Sequence, residues 1–167
     1  MNKTVLSIGA VIAAAALQSG CAQRIGHMHP RAALAERPPC KTDGNCPLWV
    51  YVSPKNAASC EVVVAFETVR VAKTWHPTVL WKLDALDEED AYVYRFHPAD
   101  GIVIQGNDPG TDFNNGHPSG DDKFSWKSVH GRPKEFKYTV TVQHRLRADH
   151  GAQFTDCAFL DPKIVND

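Results

Sequence analysis

Phe136-Lys137-Tyr138-Thr139-Val140-Thr141-Val142-Gln143-His144-Arg145-Leu146 has the period-2 pattern of a strand with one buried face. Phe136, Tyr138, Val140 and Val142 alternate with Lys137, Thr139, Thr141 and Gln143, so one face is apolar and the other wet. A helix would scatter these residues around its circumference; a strand gathers them on one side.

Outward from this segment the pattern repeats. Leu48-Trp49-Val50-Tyr51-Val52, Thr78 to Leu83, Tyr92 to Phe96, Ile102-Val103-Ile104, Phe124 to Lys127 and Phe154 to Leu160 each read as a strand bounded by turn residues. Cys60 to Val71 is a longer run. Val62, Val64 and Phe66 share one parity and Val69 and Val71 the other, which implies a bulge or bend near Glu67-Thr68. The one helical candidate is a turn around Asp84 to Asp90. Short strands at this spacing predict an all-β domain, a small antiparallel β-sandwich of immunoglobulin-like architecture. The tyrosine expected two residues before the late cysteine of a true immunoglobulin domain is Thr155 here, so the likeness stops at architecture.

The first twenty residues belong to a different physical regime. Lys3 is followed by an apolar run from Val5 to Leu17 with Ala13 to Ala16 inside it. That run is shorter than the ~20 residues needed to cross a bilayer but fits the core of a secretory signal peptide. Leu17-Gln18-Ser19-Gly20-Cys21 resembles a bacterial lipobox, in which a small residue precedes the cysteine that is acylated with diacylglycerol and palmitate. It departs from that pattern at Gln18, where an aliphatic residue is usual, with Leu17 one step early. The resemblance implies lipidation of Cys21. Ala22 stands where an inner-membrane retention signal would place Asp, so the expected location is the outer membrane, facing the periplasm. Ordinary cleavage after Ala22 would instead give a soluble periplasmic protein. The expected organisation is a signal peptide over 1–20, a Pro-containing tether over 21–39 and a β-sandwich domain over 40–167.

Five cysteines are present, and apart from Cys21 four remain: Cys40, Cys46, Cys60 and Cys157. An even number in an oxidising compartment predicts disulfides, and four cysteines allow three pairings. Cys40 and Cys46 flank the turn-prone Lys41-Thr42-Asp43-Gly44-Asn45 and can meet locally, which leaves Cys60 for Cys157. On the chain-entropy model the short loop contributes about 2 to 2.5 kcal/mol and the long one about 4.7 kcal/mol. There is no C-x-x-C, and no Cys/His pair has zinc-finger spacing. No metal site and no cofactor are predicted. His27-Met28-His29 in the tether carries copper-compatible side chains but reads as tether.

Charge narrows the partners. Removing residues 1–20 takes away Lys3 and no acid, leaving 17 basic against 19 acidic residues. Near neutrality offers no basic surface for nucleic acid. The 147 residues that remain of 167 suit a single domain.

The most unusual segment is Gln105 to Lys123, rich in Asn, Asp and Gly. Asp108, Asp112, Asn114, Asp121 and Asp122 supply oxygen atoms that could bind a ligand or calcium. An EF-hand counted from Asp112 fails, because Gly116 comes one place early and the twelfth position is Lys123. A long solvated loop is the simpler expectation. No G-x-S-x-G or H-E-x-x-H occurs, and Asp87-Glu88-Glu89-Asp90 reads as a solvated turn, so the chain is not expected to be an enzyme. Trp49, Trp81 and Trp126 are expected in the core and Trp75 at the surface.

Phe124-x-Trp126, Tyr138 to Val142 and the ending Cys157-Ala158-Phe159-Leu160-Asp161-Pro162-Lys163-Ile164-Val165-Asn166 resemble a small group of bacterial β-sandwich proteins ending in Asp-Pro-x-Ile-x-Asn, the DP-EP group. The likeness runs from Phe124 to Asn166 and implies a sandwich but no activity. Together these features predict a non-enzymatic envelope lipoprotein, held to the membrane by its lipid, that binds another envelope protein or serves an assembly. The alternative is a periplasmic ligand- or metal-binding module using residues 105–123.

Overall fold

A computed structural model describes residues 37–56, 59–72, 74–85, 91–129, 133–157 and 160–166. Cys21, His27-Met28-His29 and the acidic run at 87–90 lie outside them, as does most of the helical candidate. The described residues form thirteen strands: β1 (Arg37–Cys40), β2 (Asn45–Asn56), β3 (Ser59–Val64), β4 (Thr68–Val71), β5 (Thr78–Ala85), β6 (Tyr92–Phe96), β7 (Ile102–Ile104), β8 (Phe113–Pro118), β9 (Lys123–Ser128), β10 (Lys134–Val140), β11 (Val142–Leu146), β12 (Thr155–Asp156) and β13 (Lys163–Asn166).

They build two layers. One is the sheet β3-β2-β5-β9-β8. The other is β1-β4-β13-β10-β7, continued by β12-β11-β6. The continuation is direct, because β10 and β11 are one extended segment interrupted only at Thr141. Thr141 O accepts the His97 N–H at 3.0 Å, and Thr141 N–H donates to Gly101 O at 2.9 Å. The 136–146 strand therefore runs through the middle of its layer and changes neighbours halfway, from β7 and β13 to β6 and β12.

The sandwich is dominated by antiparallel pairing, with seven such pairs among the described residues. Three pairs are parallel: β1 with β4, β4 with β13, and β2 with β5. These follow from the path at residues 65–67. The phase change there is not a bulge within one strand. β3 belongs to one layer and β4 to the other, so the chain passes between the layers before returning to β5 beside β2. Two parallel strands need such an excursion between them. β1 also takes Arg37 to Pro39 out of the expected tether and into the domain. Its two prolines sit on an edge strand, where missing N–H donors cost least.

The core lies between the layers. Val50, Val52, Val62, Val79 and Trp81 from one layer face Val69, Val71, Phe136, Tyr138, Val140 and Ile164 from the other, all nearly or fully buried. Three edge-to-face aromatic pairs join the layers: Trp81–Tyr138 with centroids 5.4 Å apart, Phe96–Phe124 at 6.1 Å and Phe113–Phe136 at 5.3 Å. This geometry suits the ring quadrupoles and locks the two faces in register. Burial pushes the Tyr138 phenol well above its ordinary range, so it stays protonated at any physiological pH.

Both expected disulfides are formed. Cys40–Cys46 closes the local turn and Cys60–Cys157 spans 97 positions. The second ties the start of β3 to the residue after β12, one from each layer.

Candidate functional site

The segment 105–123 is not one loop. Phe113–Pro118 forms β8, an edge strand paired with β9. At its start, Asp108 O accepts the N–H groups of Thr111 and Asp112 at 3.0 Å each, and Asp112 Oδ2 accepts the Asp108 N–H at 3.3 Å. Asn107 grips the Phe113 backbone at both its N–H, 2.9 Å, and its carbonyl, 3.1 Å. Asp112 is fully buried and its own carbonyl accepts the Val129 N–H at 2.8 Å. Asp112 is thus part of a closed turn rather than an open ligand.

Asp121 and Asp122 lie at the far end of β8, in the turn into β9, with Asp122 paired to Lys123 at 3.4 Å. Six extended residues separate the two acidic ends by roughly 20 Å. Asn114 sits between them, with Oδ1 buried and unpartnered. The five oxygen-bearing residues are therefore not brought together around one ion, contrary to what a single loop would allow. Sequence composition hid the strand because Asn115 adopts φ 54° at a bulge and Gly116 lies against Trp126. A Cβ at Gly116 would overlap that indole, whose Nε1 donates to Ile102 O at 2.9 Å.

Two other features stand out. The first is the outer face of the β3-β2-β5-β9-β8 sheet. Cys46, Leu48, Val50 and Val52 take the inner positions of β2, so Pro47, Trp49 and Tyr51 point outward by the period of the strand. Trp49 is 41% exposed, which corrects its expected place in the core; Trp75 is half-buried and Trp81 fully buried. Around Trp49 lie Val63, which pairs with Tyr51, and Leu80 and Lys82 of β5. The Lys82 ammonium stands 5.4 Å from the Trp49 ring centroid.

The second is a buried cluster at the long disulfide. His144, on the inner side of β11, places Nδ1 3.2 Å from Cys60 Sγ and 3.8 Å from Cys157 Sγ. All three residues are buried. The Tyr92 ring meets the imidazole edge-on at 5.4 Å, with Tyr94 at 6.5 Å. On the outer side, Arg95 and Arg145 stack over Phe154, and Gln143 Nε2 donates to Asp156 Oδ1 at 2.8 Å, which fixes the segment leading to Cys157. A cleft of about 470 Å³ reaches this point, lined by His97, Asp100, Thr139, Thr141, Asp156 and Cys157. His144 went unnoticed in sequence because it lies 84 positions from Cys60, a spacing that no metal or redox motif shares.

No family model matches the chain, and no curated protein matches it. Solved structures similar to it include a cysteine protease inhibitor from Entamoeba histolytica and a Met148Leu form of rusticyanin. The inhibitor has 7% identity and a TM-score of 0.29, with 74% of this chain and 97% of that one covered. Rusticyanin has 14% identity and a TM-score of 0.23, with 75% and 82% covered.

Proposed function

We propose that this chain is a non-enzymatic, lipid-anchored module of the bacterial cell envelope that binds a protein partner through the outer face centred on Trp49. The observation that carries the reading is the make-up of that face. A solvated sheet face is normally polar at its outward positions. Here the outward positions around Trp49 are Pro47, Tyr51, Val63 and Leu80 beside Lys82, with Pro47 and Trp49 exposed and the others half-buried, while Ser53, Glu61 and Asp84 lie farther along the same face. Trp and Tyr are the residues most enriched where interfaces derive their energy, because each offers a large rigid surface at low entropic cost.

The test uses the full chain as bait on detergent-solubilised envelopes. Trp49→Ala is expected to weaken partner binding by about 2 kcal/mol, roughly thirtyfold. Undiminished capture by the Trp49→Ala bait would remove this face from the account.

The anchor is tested separately. Cys21→Ser, or globomycin treatment, is expected to block maturation and free the protein from the membrane fraction. Unchanged processing with a soluble product would show that Cys21 carries no lipid.

A further inference from the structure

We propose that Cys60, Cys157 and His144 are a redox-gated metal site: reduction of the disulfide by a dithiol donor turns the cluster into a two-sulfur, one-nitrogen ligand set for a single Cu(I). Among the described residues this is the one place where three metal-capable side chains converge, their ligand atoms all within 4.8 Å of one another. The Cα atoms of the two cysteines are 5.0 Å apart, so both sulfurs can stay on one ion without backbone movement. His144 Nδ1 already faces both sulfurs, and its ring is held by Tyr92 and Tyr94.

The chemistry selects the metal. Thiolate sulfur favours soft cations, and imidazole suits copper and zinc alike. A structural zinc site takes four protein ligands, and a three-ligand zinc site keeps an open fourth position for water, whereas the three ligands here are all buried. Three-coordination suits Cu(I). Access runs through the cleft, which Cys157 lines and Cys60 does not. A donor thiolate attacks Cys157 Sγ, and Cys60 leaves as the thiolate. The second donor thiol then displaces Cys157, and the donor departs as its own disulfide. Two electrons and two protons are transferred, leaving two cysteine thiols. Cu(I) displaces those two protons to solvent and takes the lone pair of neutral Nδ1.

The site would therefore be closed in an oxidised envelope and open only where a dithiol donor acts. The inference does not depend on the Trp49 face. The experiment is an anaerobic competition for Cu(I) against bathocuproine disulfonate, using the full chain with Cys21→Ser and Cys40→Ser/Cys46→Ser, so that reduction frees only the Cys60 and Cys157 thiols. The oxidised chain keeps His27-Met28-His29 and so sets the background. Above it, the reduced chain is expected to withdraw one further Cu(I), with two sulfur neighbours and one nitrogen by X-ray absorption. The same chain with Cys60→Ser/Cys157→Ser added, which has no cysteine left, is expected to show background only. His144→Ala should weaken uptake about tenfold or more, since even an outer-shell partner of a ligand registers at that level, and should lose the nitrogen neighbour. If reduction unfolds the chain, Cu(I) is expected to restore its near-ultraviolet circular dichroism. Uptake equal to background in the reduced chain, equal uptake by the double-serine chain, or unaltered affinity in His144→Ala would each overturn the proposal.

Discussion

Replacing Cys60 and Cys157 together by alanine is expected to lower the stability of the oxidised domain by about 2–5 kcal/mol. The bridge closes a span of 97 positions, so its loss frees a long stretch of the unfolded chain. It also joins the two layers at the β3 and β12 ends, where β12 itself contributes only two residues of pairing. Both sulfurs are buried, and their removal leaves the His144 imidazole without the groups it faces. The matching loss of Cys40–Cys46, with a separation of 6, should be smaller, because that loop costs little to close. Urea unfolding of the two double variants, without reductant, measures both. A loss below that of the Cys40/Cys46 variant would contradict the role given to the long bridge.

Trp81→Ala is expected to cost about 3–5 kcal/mol. Trp81 is fully buried on β5, between β2 and β9, and its ring meets Tyr138 of the opposite layer edge-on. Deleting it opens a cavity where the layers interlock, and the neighbours are strands that can collapse only by giving up their register. The comparison with Trp49→Ala sharpens this. That variant lies on the outer face of the same sheet and should shift stability by about 0.5 kcal/mol or less. Two tryptophans from the same sheet are thus assigned opposite consequences, one structural and one for binding. Denaturation midpoints read the first directly, and similar losses for both would show that Trp49 is also core.

Period-2 alternation made the sandwich legible, because a two-faced strand leaves a direct imprint on residue order. Phe136 to Leu146 is the best case, since its inner residues from Phe136 to His144 are all buried and only Leu146 at the end is exposed. The disulfide pairing was legible for a similar reason: the turn between Cys40 and Cys46 allows few other outcomes. Three features escaped. β8 is an edge strand whose outward positions are Asn, Gly and His, so no hydrophobic alternation marks it. The crossing at residues 65–67 imprints the same parity change as a bulge, and only tertiary pairing separates the two. Trp49 is apolar among apolar neighbours, and its exposure depends on which parity of β2 faces inward. The candidate site was least legible of all. His144 meets Cys60 and Cys157 through pairings far apart in sequence, which no local spacing encodes.

The binding face is tested most directly in living cells, with a photo-crosslinking amino acid placed at Trp49 and, in a second strain, at Val103. Val103 is comparably exposed at 40% but belongs to β7 in the opposite layer. A discrete crosslinked adduct from position 49 and none from position 103 is the predicted result. No adduct from position 49, or the same adduct from both positions, would contradict a binding surface centred on Trp49.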